Sequence, residues 1–207
     1  MTSILFGANP LVGRNLGEAK ALMAQPESRA KLTANDIVAT PPGMRYQLLD
    51  GELAFIPESA GWRQGVLRRL HNAVKEFVIA NQLGEVLLAP MEVVVSNYDV
   101  VQPDFMYIAR TRTRLISCGA LRAAPDLVVD LLSPDTPPAQ VSYKQALYSR
   151  HGVREYWLVD PDAESVEVLA ENPKGLAHFA KYQRTDSLIS PLLPGLRVDL
   201  RSVFRGA

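Results

Sequence analysis

Two aspartates in the middle of the chain stand at positions where a carboxylate needs an explanation. In the segment LVVDLLSP, strand alternation puts Asp130 on one face with Val128 and Leu132, while the opposite face is wholly apolar. Such a run is typical of a central strand covered on both sides, where an ionised carboxylate needs a cation or several donors. Asp104 follows Pro103 in VVQPDFMYIA, and proline marks a strand start, an edge or a bulge because it cannot donate to a sheet ladder. An acid at that point is well placed to face a cleft.

A lysine on a helix could complete this chemistry. Lys144 lies in YKQALYSRHG on the same helical stripe as Val141 and Tyr148, so burial of the stripe would force its ammonium to find an anion, either Asp130 or a phosphate. Each residue alone has an ordinary structural explanation, and the order strand acid, strand acid, helix lysine is what favours a site. Mg²⁺ usually takes only one or two protein carboxylates, so two aspartates would suffice for Mg²⁺ or Mn²⁺.

The first element expected to hold supporting residues is a hairpin. The segment RYQLLDGELAFI has Asp50-Gly51 at its centre, the preferred pair for a tight two-residue turn between antiparallel strands. This turn places Leu49 opposite Glu52, and strand alternation then brings Gln47 and Glu52 to the same face.

The remaining elements predict a mixed sheet covered by helices. Helical spacing of apolar residues predicts one helix from Trp62 to Gln82 and another from Ala139 to Arg150. Several strands in succession, followed by one helix and another strand, favour an α/β (α+β) fold with a mixed β-sheet flanked by helices and preceded by the hairpin. The predicted strands are Val86 to Val95, Val101 to Ala109, Leu127 to Leu132, and Tyr156 to Val159 with a continuation from Val166 to Leu169.

Length and composition bound the organisation of the chain. The 207 residues, 47% hydrophobic, predict a single domain over residues 35–207, after an extension of residues 1–34 with one weak helix from Leu16 to Gln25. The tail from Leu188 to Phe204 is expected to pack as a closing flap. Lys plus Arg balance Asp plus Glu at 22 each, so any nucleic-acid site must be a local basic patch. A lone cysteine, Cys118, fits a reducing cytoplasm, and no segment is apolar enough to predict a membrane partner.

Taken together, the motifs of this chain resemble the Uma family of restriction-endonuclease-like proteins in the PD-(D/E)XK nuclease superfamily. The resemblance covers roughly residues 32 to 204 and depends on several segments at once. They are YQLLDGEL, VQPDF, PDLVVDLLSPDT, the pair Lys144 and Tyr148, GVREYWLVDP and SPLLPGLRV.

The resemblance implies a nuclease-like core in which Asp104 and Asp130 hold the metal, with the lysine in the following helix as Lys144. The family usually has a glutamate where this chain has Gln47. We therefore expect a weaker second metal position, with Glu52 on the same hairpin face as a partial substitute and Tyr148 as a further supporting residue.

The expected function is metal-assisted hydrolysis of nucleic-acid phosphodiester bonds, with DNA as the substrate and a homodimer as the assembly. Arg110, Arg112 and Arg114, just after the Asp104 strand, are candidates for binding phosphate, although a solvated loop is the commoner explanation of such a cluster. The main alternative is a weak or inactive nuclease-fold protein that binds nucleic acid or serves in assembly. A Ser/His/Asp hydrolase is a distant third, because Pro134 after Ser133 lacks the backbone N–H that an oxyanion hole commonly uses.

Overall fold

The structure is a computed structural model that describes residues 31–37, 45–56, 61–117, 120–121 and 123–206. The predicted helix from Leu16 to Gln25 and Cys118 lie outside the described residues. The chain divides into two compact units, one formed by Met1–Pro57 with Val94–Val101 and the other by Glu58–Val93 with Gln102–Ala207. The single domain over residues 35–207 stays a prediction.

The first unit is built on the hairpin. Strand β1 (Arg45–Leu49) pairs with β2 (Glu52–Ile56), and β5 (Asp99–Val101) pairs antiparallel with β1. The predicted register is confirmed, since Leu49 lies opposite Glu52. Asp50 and Gly51 at the turn have φ angles of 51° and 78°, as a type I′ turn requires. The unit also contains the short helix α1 (Ala34–Ile37) and the end of β4 (Glu92–Ser96).

The second unit contains a six-stranded sheet in the order β12-β11-β10-β9-β6-β3. Strands β9 and β10 run parallel, and the other neighbours in this sheet run antiparallel, so the predicted mixed sheet is confirmed. The strands of the sheet are β3 (Gly84–Leu88), β6 (Phe105–Ala109), β9 (Leu127–Leu131), β10 (Glu155–Asp160), β11 (Ser165–Asn172) and β12 (Gly175–Gln183).

Helices cover both faces of this sheet. The long helix α2 (Gly61–Ala80) packs its apolar stripe against the face that carries Phe105, Val129 and Trp157. Helix α3 (Pro138–Arg150) links the parallel strands β9 and β10 and covers the opposite face, where Tyr148 packs on Tyr156. Both helices were predicted from their spacing, and β9 is a central strand buried on both sides, as its apolar run indicated. No helix in the described ranges is long and apolar enough to cross a membrane.

Shorter elements complete the second unit. They are a 3-10 helix (Arg110–Leu115), β7 (Ile116–Ser117), β8 (Ala120–Leu121), β13 (Ser187–Ile189), β14 (Arg197–Asp199) and α4 (Leu200–Val203). The tail belongs to the main hydrophobic core rather than only closing over it, because Leu188, Leu193, Val198 and Phe204 are all buried there.

Two strand predictions were wrong, both at prolines. The predicted strand from Val86 to Val95 is divided into β3 and β4 at Ala89-Pro90, and the strand from Val101 to Ala109 is divided into β5 and β6 around Pro103. In each case the ring removes the N–H that would continue the ladder. Strand β12 was missed because its partly polar edge position gives a weak hydrophobic alternation.

A buried glutamate holds the tail to the sheet. Glu155 Oε1 accepts a hydrogen bond from the Trp157 indole N–H at 2.6 Å. Its Oε2 accepts from the Ser190 hydroxyl at 3.0 Å and from the Leu192 backbone N–H at 2.7 Å. Burial raises the pKa of Glu155, and these donors act in the opposite direction by favouring the ionised form. The carboxylate therefore has a structural role, away from the two aspartates singled out in the sequence.

We expect the buried His71 on α2 to make the stability of the protein depend on pH. Its ring packs edge-to-face on Phe105 at 5.5 Å between centroids, and its Nε2 has no hydrogen-bond partner among the described residues. Burial lowers the pKa of His71, so as pH falls below about 6.5 the unfolded chain takes up the proton first. We expect the free energy of unfolding to decrease from that pH down to the lowered pKa.

This effect can be measured by urea unfolding at about pH 7.5 and about pH 5.5. His71→Leu should lose less stability between the two pH values than the wild type does. His151→Gln, which changes an exposed histidine at the end of α3, is the control and should keep the wild-type difference. An unchanged difference in His71→Leu would show that His71 is not the group responsible.

Candidate active site

The two aspartates lie on neighbouring strands at the same end of the sheet. Strands β6 and β9 are antiparallel, with Phe105 opposite Val129; Asp104 immediately precedes this pair on one strand and Asp130 immediately follows it on the other. The Asp104 backbone N–H donates to the Val129 carbonyl at 3.1 Å, and its carboxylate Oδ2 accepts from the Leu131 N–H at 2.7 Å. The side chain of Asp104 thus takes over a hydrogen bond of the ladder where the strands separate.

Asp130 is the centre of a buried polar cluster beneath α3. Its Oδ2 accepts a hydrogen bond from Lys144 Nζ at 2.7 Å and a second one from the Tyr156 hydroxyl at 2.8 Å. Asp130 and Lys144 are only 7% and 8% exposed. Lys144 therefore has Asp130 as its anion, one of the two partners that the sequence indicated.

The two oxygens of Asp130 have different surroundings. Both protein donors reach Oδ2, and within the described part of the chain Oδ1 receives no hydrogen bond. Because Oδ2 is fixed from two directions, the carboxylate plane is held and Oδ1 has a defined direction. An oriented carboxylate oxygen is a suitable ligand for a hard divalent cation.

Two tyrosines complete the cluster. Tyr148 on α3 and Tyr156 on β10 pack edge-to-face with ring centroids 5.0 Å apart, and both are almost completely buried. Burial raises the pKa of both hydroxyls well above the ordinary tyrosine value, and the negative charges of Asp130 and Asp104 raise them further. Both tyrosines are therefore neutral, and both carboxylates lie close enough to act on them.

Asp104 and Asp130 form a small set of possible ligands for a divalent cation. Among the described residues there is no group of three or more His, Cys, Asp and Glu side chains that could hold a metal ion. Mg²⁺ keeps several waters and is commonly held by one or two carboxylates together with substrate phosphates. Asp104 and Asp130 fit that smaller requirement, since Oδ1 of Asp130 accepts no hydrogen bond from the residues that the structure describes.

A model of the family described as "Putative restriction endonuclease", Uma2, matches residues 32–201. The chain belongs to the Uma2 family. The resemblance inferred from the motifs is thereby confirmed, and the family supports a nuclease function. Restriction-endonuclease-like proteins generally use divalent metal ions.

A solved structure has the same fold. The crystal structure of a protein titled "a putative nuclease belonging to DUF820", from Anabaena variabilis, is similar with a TM-score of 0.71 and 17% sequence identity. The similarity covers 84% of this chain and 97% of that one, and at this identity it shows the fold. No curated protein matches the chain.

The arginines proposed to bind phosphate lie at the other end of the sheet. Arg110, Arg112 and Arg114 follow the last residue of β6, whereas Asp104 precedes its first, a separation of roughly 17 Å along a five-residue strand. Arg112 forms an ion pair at 3.0 Å with the buried Asp126 and also donates to the Ala124 carbonyl. A role for this loop in binding nucleic acid stays a prediction, and the geometry separates it from the aspartates of this Uma2 protein.

The hairpin residues belong to the first unit. Gln47 is buried on β1, and its side-chain oxygen has no hydrogen-bond partner among the described residues. Glu52 is exposed on β2, and the register puts both residues on the same face of the hairpin, as expected. Their supporting roles stay predictions.

Sequence reasoning missed Tyr156. The segment EYWLVD alternates so that Tyr156 and Leu158 share a face, and the parallel register places Leu158 beside Asp130 and Tyr156 beside Val128. The sequence contains the alternation, but only the pairing of β10 with β9 shows that the hydroxyl reaches Asp130.

Two tyrosine variants distinguish the contributions of the Tyr156 and Tyr148 hydroxyls to stability. Tyr156→Phe removes a hydrogen bond to a charged oxygen, so we expect a loss of about 1.5–3 kcal/mol in the free energy of unfolding. Tyr148→Phe removes a hydroxyl that has no partner in the described residues and should change stability by less than about 0.5 kcal/mol. Urea unfolding of both variants measures this; equal losses would contradict the assigned hydrogen bonds.

Proposed function

We propose that this Uma2 protein is a metal-dependent endonuclease that hydrolyses DNA phosphodiester bonds at Asp104, Asp130 and Lys144. The observation that carries the proposal is the geometry of Asp130, whose Oδ2 is fixed by Lys144 and Tyr156 while Oδ1 accepts no hydrogen bond from the described residues. Asp104 lies at the same end of the neighbouring strand. Family membership supports the same conclusion.

In this proposal each residue has a distinct task. Asp104 and Asp130 would hold Mg²⁺ or Mn²⁺, which supplies positive charge to polarise the phosphate and to make a bound water more acidic. Lys144 orients Asp130 and adds a positive charge beside the phosphate oxygens, where negative charge develops during hydrolysis. Tyr156 holds the same carboxylate oxygen from the sheet side.

Tyr148 has a separate place in the proposal. Its hydroxyl is neutral, buried beside the same carboxylates and without a hydrogen-bond partner in the described residues. A buried hydroxyl with no protein partner costs free energy unless water or substrate supplies one. We propose that the Tyr148 hydroxyl forms a hydrogen bond with the water or phosphate that enters the site. Tyr148→Phe should therefore lower activity while stability is retained.

The proposal also includes the assembly, the cellular location and the substrate of the protein. A homodimer would suit an enzyme that cuts two strands, since two-fold assemblies are the commonest. A cytoplasmic location fits a chain with a single cysteine. DNA is preferred as substrate because the family is described as restriction endonucleases.

The proposal is tested by titrating Mg²⁺ and Mn²⁺ into the protein by calorimetry and by incubating it with supercoiled plasmid and, in parallel, with single-stranded RNA. We expect saturable cation binding and plasmid nicking that a chelator abolishes. Cleavage of RNA alone would change the substrate but keep the chemistry. Cation-independent binding of nucleic acid with no cleavage would instead favour the inactive binding module.

A further inference from the structure

A cavity is formed by the first turns of α2 and the end of β3. It has a volume of about 290 Å³ and is lined by Gly61, Gln64, Gly65, Leu67, Arg68 and Leu88. Residues 61, 64, 65 and 68 follow the spacing of one helical face, so the first two turns of α2 form one wall. All of the lining residues belong to the second unit.

Arg68 lines the cavity and has no anionic partner among the described residues. Arg68 is exposed and makes no hydrogen bond or ion pair within the described part of the chain. The arginines next to it are engaged: Arg63 donates to the Leu132 carbonyl and pairs with Asp162, and Arg69 donates to the Val203 carbonyl. Arg68 therefore presents a guanidinium whose natural partner is an anion from outside.

The glycines of this wall have no packing reason in the described structure. A Cβ at Gly61 would meet no heavy atom within 4 Å, and a Cβ at Gly65 would meet only the flexible end of Arg69. Gly61 is the first residue of α2, where glycine is tolerated, but Gly65 lies inside the helix, where glycine costs about 1 kcal/mol relative to alanine. Gly65 leaves the helix backbone there open to the close approach of a ligand.

The cavity lies at the same end of the sheet as the aspartates, on the face covered by α2, whereas the Asp130 side chain faces α3. Leu88 is the last residue of β3, and the following Ala89 N–H donates to the Asp104 carbonyl at 2.9 Å. On the other side, Arg63 Nη1 ties α2 to the Leu132 carbonyl, two residues after Asp130. Duplex DNA carries a phosphate charge about every 1.7 Å along its axis, so a duplex bound at the aspartates also has phosphates that can reach the α2 side of this end.

We infer that Arg68, beside the open backbone at Gly65, binds a phosphate of the substrate on the α2 side of this sheet end, away from the phosphodiester that is cleaved. This inference rests on the proposed function and replaces the distant Arg110–Arg114 loop with a contact at the correct end of the sheet. Arg68 acts as a binding residue and takes no part in bond cleavage.

The test measures the affinity of a short fluorescein-labelled DNA duplex by anisotropy, in chelator to prevent cleavage and over a series of salt concentrations. Arg68→Ala should bind about tenfold more weakly than wild type. The slope of log affinity against log salt should also fall by about one, because one phosphate contact is lost. Lys75→Ala removes an exposed cation farther along the same helix and is the matched control, with wild-type affinity and slope.

The outcomes separate the inference from the proposed function. Equal binding by Arg68→Ala and Lys75→Ala, with the wild type still cutting plasmid, overturns the inference and leaves the nuclease proposal intact. Absence of both duplex binding and cleavage in the wild type overturns both. A thermal melting temperature of Arg68→Ala equal to that of the wild type shows that the loss of affinity is not a loss of folding.

Discussion

Asp130→Asn is expected to abolish binding of a divalent cation and to lower nuclease activity by at least about 10³-fold. The substitution removes the negative charge from the oriented carboxylate and leaves Asp104 as the other proposed metal ligand. It retains an amide oxygen that can still accept from Tyr156, so the fold should persist. Calorimetric titration of Mg²⁺, followed by plasmid nicking, measures both effects.

Asp126→Asn is the matched control for this experiment. Asp126 is also buried and also paired with a cation, Arg112, but it lies before β9 at the opposite end of the strand. We expect this variant to lose stability through its ion pair while binding the cation as the wild type does. Equal cation binding in wild type and Asp130→Asn would remove the basis for the site.

Lys144→Met is expected to have the second largest effect on activity. Unlike Asp130→Asn, it should also lower stability while cation binding is kept. The methionine fills the buried stem position beside Leu147 and Tyr148 but leaves Asp130 without its cation. An uncompensated buried charge should lower the free energy of unfolding by about 3 kcal/mol in the absence of metal. Activity should fall because the positive charge beside the phosphate is lost.

Cation binding should survive in Lys144→Met and even strengthen, since the ammonium no longer repels it. Added Mg²⁺ should therefore raise the melting temperature of this variant more than that of the wild type, because a ligand that binds only the native state stabilises it. Lys174→Met, at an exposed turn, serves as control and should behave as the wild type. Identical Mg²⁺ responses in wild type and Lys144→Met would show that the cation does not bind at Asp130.

The structure changes the expected importance of Gln47 for activity. A neutral amide where the family usually has a glutamate suggested a weakened site, yet the described hydrogen-bond partners of Asp130 all belong to the second unit. The activity of the protein is thus expected to depend first on Asp130 and Lys144. Gln47→Glu is a simple way to ask whether the hairpin contributes.

The sequence by itself determined the features that depend on local periodicity. The apolar run around Asp130 indicated a strand covered on both faces, and the Asp-Gly pair predicted the hairpin register. The stripe around Lys144 indicated a buried ammonium that needs an anion. These inferences succeeded because alternation and helical spacing are properties of consecutive residues.

Only the tertiary structure decided which distant residues meet. The parallel pairing of β10 with β9 brings Tyr156 to Asp130, and the antiparallel pairing of β6 with β9 sends the arginine loop to the far end of the sheet. The packing of α2 on the sheet brings its first turns, with Arg68, to the sheet end that carries the aspartates. Strand order and direction depend on packing between segments far apart in the chain, and no local pattern records them.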